Sequence, residues 1–112
     1  MPSRATNYAA ALQLSLRIEE AKSLLRKTMP VARRVLGASH EVTLKMRLNY
    51  AEALYRDDGA TLDDRRESVT MLEEVERIAR RVLGGAHPVT EGMEKELQKS
   101  RAALGGSSKA SN

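Results

Sequence analysis

The chain repeats parts of its own sequence at two different spacings. The hexapeptide ARRVLG at residues 32–37 recurs 47 positions later, at residues 79–84. The tripeptide NYA at residues 7–9 recurs only 42 positions later, at residues 49–51. Periods of this length are typical of solenoids, in which one unit buries its apolar face by stacking on the next. We therefore expect a short repeat array whose second unit carries five additional residues, the polar loop at residues 57–61.

Composition favours helices in both repeats. The 112 residues include three Tyr but no Phe or Trp, so the core has to be built from Leu, Val, Ile, Met and Ala. Helix formers dominate and alternating apolar and polar residues are scarce, which predicts an all-α fold. The absence of cysteine excludes disulfides and thiolate metal sites, and we expect a cytoplasmic setting.

Apolar residues at three- and four-residue spacing predict five helices joined by short turns. Their approximate bounds are residues 5–14, 17–36, 42–56, 61–83 and 89–104. The first repeat then covers about residues 5–41 and the second about residues 42–88, and helix 89–104 caps a single domain of residues 1–104. Residues 105–112 are mostly Gly, Ser, Lys and Ala, which predicts a disordered tail.

Local signals mark several helix ends. Gly37 and Gly84 are suited to left-handed helix stops, and Thr61 followed by Asp64 is typical of a capping box. Pro30 interrupts an otherwise regular pattern, which predicts a kink or a division of the second helix near residues 28–29. The same periodicity predicts that four side chains are buried between helices: Leu25, Leu54, Leu72 and Val82.

These sequences resemble the tetratricopeptide repeats of kinesin light chains. The resemblance rests on RVLG at residues 81–84, HPVT at residues 87–90, and the pairs Leu48-Asn49 and Leu54-Tyr55, and it covers about residues 6–104. It implies tandem antiparallel helical hairpins in a right-handed solenoid segment. The small positions of that family fall on Ala9, Ala51, Ala21 and Ser68, and the bulky ones on Leu12, Leu54, Leu25 and Leu72.

The resemblance also implies a binding surface, because the first helix of each repeat lines the concave face of such arrays. Asparagines on those helices hold the backbone of a bound peptide in this family, and Asn7 and Asn49 occupy such helices. A primary amide suits that role because it both donates and accepts hydrogen bonds. The alternative is a hydrogen bond within the helix pair. The full candidate set for partner binding is Asn7, Tyr8, Asn49, Tyr50, Arg33 and Arg34.

The sequence thus predicts a protein-interaction scaffold that binds a peptide or a partner helix. A second class is a basic module for nucleic acid or another polyanion, since the net charge is +4 and much of the basic excess lies in residues 17–36. The scarcity of aromatic stacking side chains argues against nucleic acid. Two repeats are fewer than the usual three, which leaves a longer array open.

No catalytic pattern is present, so we expect no enzyme activity, no cofactor and no metal. Leu44 stands where a zinc-binding HExxH motif starting at His40 needs its second histidine. His40 and His87 occupy equivalent turns without a third ligand, and capping of those turns is the simpler role. No apolar run is long enough to predict a membrane span.

Overall fold

The computed structural model describes the backbone of residues 4–110 and, within it, the side chains of residues 9, 10 and 12–105. Four helices follow one another: α1 (Arg4–Leu36), α2 (Glu41–Arg56), α3 (Leu62–Val82) and α4 (Pro88–Ala110). No strand occurs among these residues. The predicted all-α class is therefore confirmed, with four helices in place of five.

Neighbouring helices run antiparallel, as side-chain contacts show. Between α2 and α3, the Ser68 hydroxyl donates to the Ala51 carbonyl at 2.7 Å, and Arg47 pairs with Glu74 at 2.9 Å. Between α1 and α2, the partners of Thr43, Tyr50 and Asp57 are Ala32, Arg26 and Lys22. Residue numbers rise on one helix as they fall on the other. Successive helices therefore form antiparallel hairpins.

Helix α2 lies at the centre of this arrangement. It packs against α1, α3 and α4, whereas α1 lies beside α2 alone among the described helices. The core combines aliphatic side chains of α2, α3 and α4 and contains little of α1. Its buried members are Leu44, Ala51, Leu72, Val75, Ala79, Met93 and Leu97.

The predicted turn between residues 14 and 17 is absent, because α1 is one helix of 33 residues. No Gly, Pro or Asn occurs between Ala9 and Met29, so nothing in that stretch favours leaving the helix. The second repeat does turn, at residues 57–61, and this loop is the five-residue difference between the two offsets.

The predicted division at Pro30 is likewise absent. Proline removes one donor, and the helix continues on either side of it.

The predicted helix ends are confirmed where local chemistry fixes them. Thr61 and Asp64 form a reciprocal capping box, with hydrogen bonds of 3.0 and 3.1 Å. Gly37 and Gly84 adopt φ of 97° and 92°, which a side chain at Cβ would disfavour. Helix α4 continues to Ala110 through the residues predicted as a tail, since glycine weakens a helix without removing a backbone donor.

The predicted core is confirmed in part. Leu54 and Leu72 are 1% and 0% exposed. Leu25 is half-buried, because it lies on the side of α1 that only α2 covers. Val82 is 49% exposed, so its predicted burial is wrong. It occupies the last turn of α3, where Ala79 makes the buried contact instead.

A buried ion pair fastens α1 to the loop after α2. Lys22 and Asp57 are both buried, and Nζ lies 3.4 Å from Oδ2. Asp57 also accepts from the Gly59 amide at 3.0 Å, and Lys22 pairs with Glu19 at 2.7 Å. The Gly59 hydrogen bond and the Lys22 charge lower the pKa of Asp57 although burial opposes them. Burial lowers the pKa of Lys22, but its two carboxylate partners outweigh this and raise it.

Replacing Leu72 by alanine is expected to lower the free energy of unfolding by about 2–5 kcal/mol, because its side chain is fully enclosed and leaves a cavity. Val82→Ala is the matched control, since its half-exposed side chain removes little packing. Urea denaturation followed by circular dichroism measures both. Equal midpoints for the two variants would contradict the described core.

Replacing Asp57 by asparagine is expected to cost about 1–3 kcal/mol at neutral pH, since Lys22 loses a buried partner and keeps only Glu19. The folded-state pKa of Asp57 lies below its ordinary value of 3.8, so the difference from wild type should shrink as pH falls below 3.8. The raised pKa of Lys22 predicts a second loss only above its ordinary value of 10.5. Thermal melts of wild type and Asp57→Asn below pH 3.8, at neutral pH and above pH 10.5 test both expectations. Asp58→Asn, at an exposed position, is the control variant. A difference that persists in strong acid would show that the charge is not responsible.

Candidate functional site

Two grooves flank α2, and each collects some of the predicted binding residues. The first, which we call the α1–α2 groove, has a volume of about 430 Å³. Its lining combines apolar or small side chains with three charged ones. It is lined by Leu14, Arg17, Ile18 and Ala21 of α1 and by Asn49, Glu52, Ala53 and Arg56 of α2.

The side-chain amide of Asn49 lies in this groove without a hydrogen-bond partner among the described residues. Its side chain is exposed and makes no hydrogen bond to any other described residue. The alternative role predicted for it, a hydrogen bond within the helix pair, is therefore not seen in the described part of the chain. Donor and acceptor both remain available to a group entering the groove.

The second groove, which we call the basic groove, lies between α1 and α3 with α2 as its floor and has a volume of about 360 Å³. It holds three arginines, one glutamate and two methionine side chains. Its lining comprises Arg26, Met29, Pro30, Arg33, Thr43, Arg47, Tyr50, Glu67 and Met71.

Internal contacts restrain much of the basic groove. The Arg26 guanidinium donates to the Tyr50 hydroxyl at 2.9 Å and lies 5.7 Å from the centre of its ring. The hydrogen bond to Tyr50 is the main cause that raises the pKa of Arg26. Arg47 is largely buried and pairs with Glu74, but its Nη1 atom is enclosed without a hydrogen-bond partner. Arg33 is exposed at the edge.

The predicted binding residues therefore do not form one site. Asn49 lines the α1–α2 groove, whereas Tyr50 and Arg33 line the basic groove. Adjacent residues on a helix point about 100° apart, which separates Asn49 from Tyr50. Arg34 is exposed and lines neither groove. Asn7 and Tyr8 lie outside the described side chains.

Apolar residues on the outer side of α1 are exposed, whereas their repeat equivalents are partly buried. Leu24 is 62% exposed and Val31 is 46% exposed. Their equivalents 47 positions later, Met71 and Ile78, pack against the core. In the second repeat that side of α3 is covered by α2, and α1 has no corresponding cover in the described structure.

Hydrogen bonds among three buried residues link α2, α3 and α4, and these contacts were not predicted from the sequence. The Ser100 hydroxyl donates to the Ser68 hydroxyl at 2.9 Å, and Ser68 donates to the Ala51 carbonyl. All three residues are fully buried. On the last helix Gln98 is exposed, and Ser100 is the small residue buried against α3. The sequence contains one indication of this contact. Ser100 follows Leu97 by three residues, the spacing that places two side chains on the same side of a helix.

A second polar contact ties α2 to α4. The Tyr55 hydroxyl hydrogen-bonds to the Glu96 carboxylate, and Arg56 lies 3.4 Å from the same group. Burial, followed by the hydrogen bond to Glu96, raises the pKa of Tyr55 to about 12. This contact joins the first helix of one repeat to the first helix of the next.

Both histidines cap helices. In each case Nδ1 accepts a backbone N–H at 3.1 Å, from Val42 to His40 and from Val89 to His87. Across the described residues, no three His, Asp or Glu side chains gather into a group that could hold a metal ion. Within the same part of the chain, no helix is long and apolar enough to cross a membrane.

Comparison with known proteins found a match to one family model. No curated protein and no solved structure matches the chain significantly. Residues 3–41 match the family model of the tetratricopeptide repeat. The matched segment is the one that forms α1 and the turn after it, and the hairpin of α2 and α3 lies beyond it. The match covers 39 of the 112 residues, so residues 3–41 are similar to a tetratricopeptide repeat, and the all-helical hairpin architecture agrees with tandem repeats of that kind.

Proposed function

We propose that this protein is an interaction module of the kinesin-light-chain type that receives a helix or peptide from a protein partner in the α1–α2 groove. A cytoplasmic setting and the absence of a catalytic reaction belong to the same proposal. The observation that carries it is the exposed amide of Asn49, which makes no hydrogen bond to any other described residue and lies in a groove lined by apolar and charged side chains. Ligand grooves commonly combine apolar walls with a few polar groups that fix orientation.

The composition of the groove supports a helical occupant. Ala21 and Ala53 on facing walls allow close backbone approach, and Ile18 and Leu14 supply apolar contact area. Arg17, Glu52 and Arg56 add charges of both signs to the lining, and charges at an interface select partners more than they add affinity. Exposed Leu24 and Val31 extend the apolar surface along α1. We expect a helix laid along α1 to contact the residues of the groove lining.

The basic groove supports a second candidate, the binding of an acidic segment or polyanion. Arg26, Arg33 and Arg47 converge there, and the enclosed Nη1 of Arg47 lacks a partner. Glu67 in the same lining and the Glu74 partner of Arg47 offset part of this charge. Lys27 and Arg34, which lie in the same basic stretch of residues 17–36, do not line the groove. The balance favours the α1–α2 groove as the main site.

Asn49→Ala is expected to weaken partner binding by about 1–3 kcal/mol, the scale of one hydrogen bond lost in a partly desolvated site. Thermal stability should hardly change, because the side chain is exposed. The probe is a helical peptide obtained by phage display on the wild-type protein and titrated against both proteins. Unfolding of Asn49→Ala without a separate binding defect would favour a structural role for the amide.

The location of the site is tested by a pair of arginine substitutions on α1. Ala21→Arg places a large charged side chain in the α1–α2 groove, whereas Ser23→Arg adds the same side chain at an exposed position outside it. Binding of the selected peptide should be lost in the first variant and retained in the second. Retention in both would place the site elsewhere.

Salt dependence separates the two candidate functions. Binding of a polyanion such as heparin to the basic groove should fall steeply between low and moderate salt, because counterions are released on binding. Peptide binding in the α1–α2 groove should respond much less. Replacing Arg33 and Arg34 by glutamine should weaken only the binding of the polyanion. Titrations at two ionic strengths, with both ligands, measure this contrast.

A further inference from the structure

We propose that the basic groove binds an acidic side chain of a protein partner, with its carboxylate held by Arg33 and an apolar neighbour packed beside it. This inference rests on the second candidate function and names the chemical group that enters the groove. It comes from a groove at the equivalent place in the next repeat, where the chain supplies carboxylates of its own. We call this one the α3–α4 groove, and its volume is about 310 Å³.

The hairpin of α3 and α4 repeats the hairpin of α1 and α2 with an offset of 47 residues. The turns match, because Gly37 and Gly84 both take positive φ, and His40 and His87 both accept a backbone N–H at 3.1 Å. Five residues that line the α3–α4 groove are equivalents of residues that line the basic groove. They are Glu73, Glu76, Arg77, Arg80 and Leu97, each 47 positions after its counterpart. The two grooves can therefore be compared position by position.

In the α3–α4 groove, carboxylates of the chain itself pair with the arginines. Arg80 lies 2.7 Å from Glu76 of its own helix and 3.7 Å from Glu94 of α4. Arg101 of α4 lies 3.4 Å from Glu73 of α3. Arg80 thus has carboxylate partners from both helices of the hairpin.

In the basic groove, the equivalent arginine has no carboxylate partner. Arg33 is the counterpart of Arg80, and it forms no ion pair with any other described residue. The two positions that supply carboxylates to Arg80 are occupied here by Met29 and Arg47. A third glutamate position of the α3–α4 groove is occupied by Arg26. One carboxylate is thus replaced by an apolar side chain and two by positive charges.

The carboxylates that do lie near the basic groove leave Arg33 unpaired. Glu74 pairs with Arg47 at 2.9 Å. Glu67 is part of the lining, but it forms an ion pair with none of the three arginines. A guanidinium suits an external carboxylate, because its planar set of N–H donors matches the two carboxylate oxygens. A partner's acidic side chain would give Arg33 the interaction that Arg80 obtains within the chain.

The rest of the lining selects what accompanies the carboxylate. Met29, Pro30 and Met71 add apolar surface, and methionine side chains adapt to ligands of different shape. We therefore expect an acidic residue next to an apolar one, in place of a long acidic run. The basic groove lies on a different side of α2 from Asn49, so its occupant does not displace one in the α1–α2 groove.

NMR titration of the full chain with two peptides tests the class of ligand. The probes are acetyl-Leu-Glu-Leu-amide and its uncharged counterpart acetyl-Leu-Gln-Leu-amide. The glutamate peptide should shift the side-chain Nε–H signal of Arg33 and bind about tenfold more tightly, the scale of one hydrogen bond between charged groups. Equal binding of the two peptides would overturn the proposal. Binding of inorganic phosphate or heparin at Arg33, without binding of the glutamate peptide, would overturn it too, because the site would then recognise another anion.

Two matched pairs of variants test the role of Arg33. Met29→Glu places a carboxylate four residues before Arg33, the spacing of Glu76 and Arg80. It should weaken binding of the glutamate peptide about tenfold relative to Met29→Gln, which has the same size without the charge. Arg33→Gln should weaken binding to a similar degree. Arg81→Gln removes the same charge at an exposed position outside the three grooves and should bind as wild type does.

Circular dichroism should show the same helix content in all four variants, because none of the substitutions removes a core side chain. Equal affinities of Met29→Glu and Met29→Gln would show that a carboxylate at this place does not compete with the ligand. Equal affinities of Arg33→Gln and Arg81→Gln would show that Arg33 does not hold it. Either result would overturn the proposal.

The failure of the carboxylate site and the failure of the proposed function are distinguishable. The helical peptide selected for the α1–α2 groove should bind Met29→Glu as it binds wild type. If that peptide binds and the glutamate peptide does not, only the carboxylate site is overturned. If the glutamate peptide binds at Arg33 and no helical peptide can be selected, the carboxylate site is supported and the α1–α2 groove is overturned as the main site. If neither peptide binds, both are overturned.

Discussion

The close approach of α2 and α3 at Ala51 governs the packing of the whole molecule. Ala51 is completely enclosed, and its carbonyl accepts the Ser68 hydroxyl at 2.7 Å. A larger side chain at either position would separate the helices and open the space that Leu72 fills. Helix α2 also packs against α1 and α4, so it contacts each of the other described helices. Ser100 extends the same series of hydrogen bonds into α4, so that three helices are held in one register.

Periodicity and capping residues were sufficient to predict most of the fold. The helical class, the stops at Gly37 and Gly84 and the burial of Leu54 and Leu72 follow from local rules, since each depends on residues within one or two turns. The turn predicted after residue 14 is absent because the first repeat has no turn-forming residue there, although its helix surfaces match those of the second repeat. Equivalence shows which surfaces match, but a turn needs its own residues, and the first repeat lacks them.

The candidate site was less predictable, because its grouping depends on the register between helices. Asn49 could be singled out from the repeat, whereas the convergence of Arg26, Arg33 and Arg47 requires the packing of α1 on α2. Lys22 gave a readable signal, since it lies on the stripe that carries Ile18 and Leu25. A charge on an apolar stripe implies a buried partner. The sequence does not show that Asp57, 35 positions away, supplies it.

The apolar outer side of α1 stays uncovered among the described helices, because the helix continues where the second repeat turns. Folding the stretch before residue 17 back onto the rest of α1 would break helical hydrogen bonds at a point without a turn former, and this cost is independent of concentration. Covering the same side with another protein would keep the helix intact but cost translational and rotational entropy, which falls in importance as concentration rises. The missing five-residue loop raises only the first cost. The length of one connection therefore shifts the balance between these two costs.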